Sequence, residues 1–275
     1  MNNQEKNDLL SIAVKAALEA GKAVNEVYQG SDFEVEEKAD ETPLTLADRK
    51  SHEIIKGYLE KTKWPLLSEE GRDIPYNDRK DWEYFWLVDP LDGTKEFIKK
   101  NGEFTVNIAL VHLGDPVLGV VYAPYVGDLY FGEMDFGAYK VERMDAANPV
   151  FKDLNDLMKR GDMLPRTGHR EKMVVVASRS HMNDDTQNYV DQLKERFGDT
   201  EFISKGSSLK LCMVAEGEAD VYPRFAPTME WDTAAAHAVA LAAGFQVTQK
   251  DEVTPLRYNK EDLTNPWFIV KGKKV

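Results

Sequence analysis

The residues with the most chemical potential in this chain are acidic, and they fall at the ends of apolar segments. In Val88-Asp89-Pro90-Leu91-Asp92-Gly93-Thr94 an apolar run ends on one aspartate and a second follows three residues on. Pro90 sets a turn, and Gly93 lets the backbone approach a ligand closely. Carboxylates and backbone carbonyls are the ligands that hard cations prefer. Two carboxylates this close at a strand end repel each other unless they share a cation. The plainer reading is an acidic surface turn, since Asp-Pro and Asp-Gly are common turn pairs. Other acidic positions weigh against it. Glu69-Glu70 follow the apolar Trp64-Pro65-Leu66-Leu67, and Asp232 stands where a helix begins. Taken alone, Asp232 reads as a helix N-cap. Asp48, after Thr45-Leu46-Ala47, has the same form and the same alternative.

The elements that must position these groups are readable from periodicity. Leu10, Val14, Ala17, Gly21, Val24 and Tyr28 recur at three- and four-residue spacings, which predicts an amphipathic helix over 8–28. A short strand over 33–35 follows, then a second helix from Ala47 or Asp48 with Ile54, Ile55, Tyr58 and Leu59 on its apolar face. Tyr84 to Val88 reads as a buried strand. Segments 104–111, 117–122 and 128–131 continue as a mostly antiparallel meander. From Glu142 to Arg170 the pattern weakens, predicting a subdomain boundary, a surface insertion or a lid. Beyond it come a strand at 174–176, helices over 184–197 and 207–215, a strand at 220–222, and a helix over 232–243 that Gly244 ends. The expectation is layered α/β with two sheets. The division is an N-terminal α+β part (1–145), a connection (146–170) and a C-terminal α/β part (171–275).

The chain has 275 residues and 42% hydrophobic composition, enough for a full core. No run of eighteen apolar residues occurs, so no transmembrane span is expected. The polar start and a single cysteine, Cys212, favour the cytoplasm, with peripheral association at the inner membrane left open. Cys212 lies in Leu211-Cys212-Met213-Val214 and reads as a small core residue. A net charge of −13 argues against a nucleic-acid polymer as partner. An acidic protein can still bind a small phosphate ester when cations lie between the two.

Four segments, in order and spacing, resemble the family of lithium-sensitive, magnesium-dependent phosphatases that includes inositol monophosphatase and 3′(2′),5′-bisphosphate nucleotidase. They are Asp48 after Thr45-Leu46-Ala47, the pair Glu69-Glu70, the run Asp89 to Thr94, and Trp231-Asp232 opening an Ala-rich helix. The resemblance spans nearly the whole chain and implies an αβαβα sandwich. It implies two or three Mg²⁺ ions. Glu69, Asp89 and the Leu91 carbonyl would hold one, Asp89, Asp92 and Asp232 a second, and Asp48 with Glu69 a weaker third. The Gly93 and Thr94 backbone would meet the phosphate, with Asp232 beside the substrate. Asp48, the Thr94 hydroxyl and Glu69 would serve catalysis, the first two orienting and deprotonating water. In-line attack by water without a phosphoenzyme is expected, since no histidine or cysteine nucleophile lies near these segments. Inhibition by lithium is implied, and a homodimer is left open.

Within that family, Ala177-Ser178-Arg179-Ser180-His181 and Lys205-Gly206-Ser207-Ser208-Leu209-Lys210 are similar to the bisphosphate nucleotidase branch. The resemblance makes Arg179, His181, Ser207, Lys210 and Arg224 substrate contacts. Lysine and arginine could hold a second phosphate that is not cleaved, helped by backbone N–H groups near Ser207. The plainer reading of Arg179 and Lys210 is a solvated charge, and of His181 a cap or surface histidine. The implied substrate is adenosine 3′,5′-bisphosphate, with 3′-phosphoadenylyl sulfate as a second. The alternatives are an inositol or other sugar monophosphatase, and a non-catalytic nucleotide or metal sensor, which a broken acidic set would favour.

Overall fold

The computed structural model describes residues 1–30, 35–37, 43–71, 73–145, 147, 150–166, 172–177, 183–272 and 275. In chain order the first part contains α1 (Asn3–Gln29), β1 (Glu36–Glu37), β2 (Pro43–Leu44), α2 (Leu46–Leu59), β3 (Leu66–Ser68), α3 (Tyr76–Arg79), β4 (Tyr84–Asp92) and α4 (Thr94–Ile98). Then come β5 (Thr105–His112), β6 (Asp115–Ala123), β7 (Asp128–Glu133), β8 (Gly137–Val141), α5 (Leu154–Arg160) and β9 (Asp162–Met163). The remainder holds β10 (Met173–Ala177), α6 (Asp184–Phe197), β11 (Thr200–Ser204), α7 (Leu209–Ala215), β12 (Val221–Arg224), α8 (Glu230–Ala242), β13 (Gln246–Gln249) and β14 (Phe268–Lys271).

Two sheets organise the chain. The larger runs β3-β4-β5-β6-β7-β8-β9, parallel only between β3 and β4. The smaller runs β11-β10-β12-β14-β13. Alternation along β4 shows how the layers stack. Trp86 and Val88 enter a core with Leu10, Val14, Leu18 and Ile55 of α1 and α2. Phe85 and Leu87 enter a second core with α7, α8 and the inner face of the smaller sheet. A third core joins the outer face of that sheet to Val190 and Leu193 of α6. The layers are therefore helix, sheet, helix, sheet, helix, as the resemblance implies.

Packing α8 between two sheets demands small side chains, and Ala234, Ala235, Ala236 and Ala238 supply them. Gly119 of β6 faces this helix. A Cβ there would lie 2.1 Å from the Ala235 carbonyl oxygen, so only glycine permits the approach.

Several expectations shift. Helix α1 begins at Asn3, five residues before the predicted start at Asp8, because Asn2 and Glu5 cap it reciprocally, each accepting the other's backbone N–H at 2.9 Å. The strand expected at 33–35 is placed differently. Residues 33 and 34 lie outside the described residues, Val35 is not in a strand, and the extended pair is β1. The weakly patterned stretch 142–170 contains α5 and β9. Leu154 and Leu157 are buried at a three-residue spacing, and β9 pairs with β8 in the larger sheet. Helix α7 starts at Leu209, since Ser207 has a φ of 52° that no helix accepts. Strand β12 reaches Arg224, and α8 begins at Glu230. Cys212 is a buried free thiol, as expected.

Candidate active site

The acidic positions converge. Strand β4 delivers Asp89, the residue after β3 is Glu69, and the first turn of α8 delivers Asp232. One carboxylate oxygen from each of these three lies within 4.8 Å of the other two. The register explains the first pair. Ser68 is level with Val88 on the neighbouring parallel strand, and the Glu69 N–H donates to the Val88 carbonyl at 3.1 Å. Glu69, just past β3, and Asp89, within β4, thus stand side by side.

Asp232 is not the N-cap that its position suggested. It is the third residue of α8, and its Oδ2 accepts the Met229 N–H at 2.8 Å. Asp48 has the equivalent place in α2, with Oδ2 accepting the Thr45 N–H at 2.7 Å. In both, one oxygen accepts the backbone N–H at the helix start. Asp48 Oδ1 accepts from the Thr94 hydroxyl at 3.2 Å, and that hydroxyl also lies 3.3 Å from the Leu91 carbonyl. Asp48 and Asp89 are almost fully buried.

Asp92 turns towards the second half of the chain. Its Oδ2 accepts the Ser208 N–H at 2.6 Å and the Asn107 amide at 3.4 Å. The backbone donor expected to meet a second phosphate is therefore already used at Ser208. Gly93 follows in the left-handed region, φ 96°. A Cβ on it would lie 2.3 Å from Ser207 Oγ and 3.0 Å from the Glu103 carbonyl oxygen. The Ser207 hydroxyl lies 2.9 Å from the Asp92 carbonyl and 2.7 Å from that of Glu103. Ser207 thus holds the Gly93 turn, and it also lines the cavity beside it.

The electrostatics are those of an unneutralised acidic centre. Burial, then Glu69, Asp92 and Asp232, push the Asp89 carboxyl well above the ordinary range, while the Leu91 N–H opposes. Asp232 is raised by burial and then by Asp92, with the Met229 N–H opposing. Asp92 is pushed up to about 6 by burial, against the pull of Lys210 and the Ser208 N–H. Oxygen-only donors, one buried and two half-buried, gathered at mutual electrostatic cost, fit a hard divalent cation such as magnesium.

Beside this centre lies a cavity of about 150 Å³. Its walls include Asp92, Gly93, Asp232, Lys210 and Arg224. Lys210 is buried, contrary to the solvated alternative. Its ammonium donates to the Ser207 carbonyl at 2.6 Å, and desolvation lowers its pKa to about 8. Arg224 is also buried. One terminal nitrogen donates to the Pro227 carbonyl at 2.9 Å, while Nε has no partner among the described residues. Arg179 and His181 lie outside the described residues. Sequence reasoning missed Glu96, Tyr222, Thr228 and Phe268 on the same walls. Tyr222 and Phe268 meet edge to face at 5.8 Å and are themselves almost fully buried. Tyr222 lies two residues from Arg224 on β12, so strand alternation was the available signal.

The model of the inositol monophosphatase family matches residues 5–270. The chain belongs to that family. It is 43% identical over 266 residues to the 3′(2′),5′-bisphosphate nucleotidase CysQ of Salmonella typhimurium, covering 95% of this chain and 99% of that one. The Escherichia coli K12 CysQ, with the same activity in its name, is 43% identical over 267 residues, covering 95% of this chain and 99% of its own. Among solved structures, CysQ from Bacteroides thetaiotaomicron superposes with a TM-score of 0.91 at 51% identity, covering 98% of this chain and 99% of that one. An inositol monophosphatase from Anabaena, 23% identical with a TM-score of 0.67 over 99% of this chain and 92% of that one, shares the fold. Family membership makes metal-dependent phosphatase chemistry the frame for the acidic centre. Among the described residues no helix is long and apolar enough to cross a membrane.

Proposed function

We propose that this protein is a magnesium-dependent 3′(2′),5′-bisphosphate nucleotidase that removes the 3′-phosphate of adenosine 3′,5′-bisphosphate and releases AMP. The observation that carries the choice of substrate is the pair of buried cations, Lys210 and Arg224, facing the acidic centre across one cavity. Burying two cations is costly unless an anion pairs with them. Among the described residues Arg224 Nε has no acceptor, which leaves one donor for a ligand. A substrate with a second, retained phosphate supplies the missing acceptors, and a monophosphate does not. The CysQ relatives bear this activity in their names.

Glu69, Asp89, the Leu91 carbonyl, Asp92 and Asp232 would hold the metal, with Asp48 contributing. When bound, magnesium neutralises the phosphoryl oxygens, lowers the pKa of water and stabilises the leaving oxygen. The Thr94 hydroxyl, hydrogen-bonded to Asp48 Oδ1, orients the attacking water, and Asp48 receives its proton. The water oxygen bonds to phosphorus as the bond from phosphorus to the ribose 3′-oxygen breaks. Gly93 and Thr94 hold the scissile phosphate through their backbone. Chromatography of the reaction mixture tests the reading. AMP and inorganic phosphate in equal amounts are expected, and adenosine 3′-phosphate as the product overturns the orientation.

A further inference from the structure

We propose that Glu96 is a specificity-determining residue that accepts a hydrogen bond from the sugar hydroxyl next to the scissile phosphate ester. The inference rests on the nucleotidase reading above. Glu96 lies on α4, three residues beyond Gly93, and both line the cavity. Gly93 caps α4 and Glu96 is the third residue of that helix, so one short turn brings both to the same cavity wall.

Its chemistry is out of place on a wall that must receive a dianion. An ionised carboxylate only accepts hydrogen bonds. Phosphate oxygens offer it no donor and repel it. Asp92 and Asp232 share the cavity, but both are committed to backbone N–H groups and to the acidic centre. The Glu96 carboxylate is half-buried and makes no hydrogen bond or ion pair among the described residues. Its nearest influence is electrostatic, on buried Lys210, whose charged form it favours. The ligand must therefore bring a donor to this position, and it must lie within a side-chain length of the phosphate. In a ribonucleoside 3′-phosphate that donor is the 2′-hydroxyl, one carbon from the ester oxygen. The same carboxylate repels a phosphate at the 2′ position when the 3′-ester is the one being cleaved.

The test compares kcat/KM for adenosine 3′,5′-bisphosphate and its 2′-deoxy analogue, using the full chain with magnesium. The unmodified enzyme is expected to prefer the ribonucleotide by tenfold or more. Glu96→Ala is expected to bring the ratio to within twofold of one, by lowering the ribonucleotide value more than the deoxy value. Glu96→Gln keeps an acceptor oxygen and is expected to restore an intermediate ratio. Should Glu96→Ala fold poorly, Glu96→Gln carries the comparison. A ratio near one in the unmodified enzyme, or an unchanged ratio in the variant that folds, overturns the role of Glu96 while leaving the nucleotidase reading intact. Hydrolysis of neither nucleotide, with another phosphate ester turned over, overturns the nucleotidase reading and this inference with it.

Discussion

The backbone N–H of Ser208 donates to Oδ2 of Asp92 at 2.6 Å, joining residues 116 apart in sequence. The bond ties the acidic turn at the end of β4 to the segment that carries Lys210. Asp92 also lines the cavity, and its charge raises the Asp89 and Asp232 carboxyls, so one side chain acts on both the acidic centre and the cavity. Its substitution separates the chemical from the structural role. In Asp92→Asn the amide oxygen can still accept from Ser208, but a metal-directed charge is gone. Activity with magnesium is expected to fall by about a hundredfold or more, since even outer partners of metal ligands cost 10–100-fold. The metal-free protein is expected to be at least as heat-stable, because a repelling buried charge has been removed. Full activity would refute the assignment.

Magnesium should stabilise the fold measurably. Asp89 and Asp232 are held well above the usual carboxylate range by burial and by their neighbours, and a divalent ion relieves both. At a hundredfold excess over Kd, binding adds about 2.7 kcal/mol. For a chain of this size that raises Tm by roughly 5–10 °C. Thermal melts with magnesium and with chelator check this, and Glu69→Gln is expected to lose most of the shift.

Gly93 and Ser207 should be energetically coupled. Alanine at 93 meets φ 96° and places Cβ 2.3 Å from Ser207 Oγ. The strained backbone alone costs about 1–3 kcal/mol. Ser207→Ala removes the hydroxyl that Cβ meets first. The double variant is therefore expected to be more stable than the sum of the two single effects, by about 0.5 kcal/mol or more in denaturant titrations. Additive effects would show that the close approach is relieved elsewhere.

His237 supplies a pH prediction away from the metal ligands. It is buried in α8, its Nδ1 lies 2.8 Å from the Tyr258 hydroxyl, and burial lowers its pKa from 6.5 to about 3. A histidine depressed on folding stays neutral in the fold while the unfolded chain takes up a proton. Its contribution is present above pH 6.5 and is lost as the pH falls towards 3. Buried Glu216, raised from 4.5 to about 7, acts oppositely in part of that window, stabilising as the pH falls. Comparison with His237→Gln isolates the histidine. The unmodified protein is expected to lose roughly 2–3 kcal/mol more than the variant between about pH 6.5 and 4.5. Equal losses would show that His237 is protonated in the fold.

The acidic centre was legible in the sequence because each member ends or begins an element that periodicity defines. Asp89 closes an apolar strand, Glu69 follows its parallel neighbour, and Asp232 opens an alanine-rich helix. The error at Asp232, third in the helix rather than at its cap, arose because Glu230 and Trp231 carry no start signal of their own. Lys210 was left between a solvated charge and a substrate contact, since burial depends on how β12 and α7 pack. The Ser208–Asp92 bond had no signal, because it joins two segments that meet only when the cavity forms. Glu96 was passed over as one charge among many on a short helix. The stretch 142–170 was read as unpatterned because only Leu154 and Leu157 mark α5, and two positions are too few to establish a period.

The central claim is that the acidic centre and the buried cations together serve a nucleotide carrying two phosphates. Initial rates of phosphate release from adenosine 3′,5′-bisphosphate, inositol 1-phosphate and fructose 1,6-bisphosphate, each with magnesium and with chelator, test it most directly. The expected result is magnesium-dependent release that is fastest from the nucleotide. Faster release from either sugar phosphate, or release that persists in chelator, contradicts it.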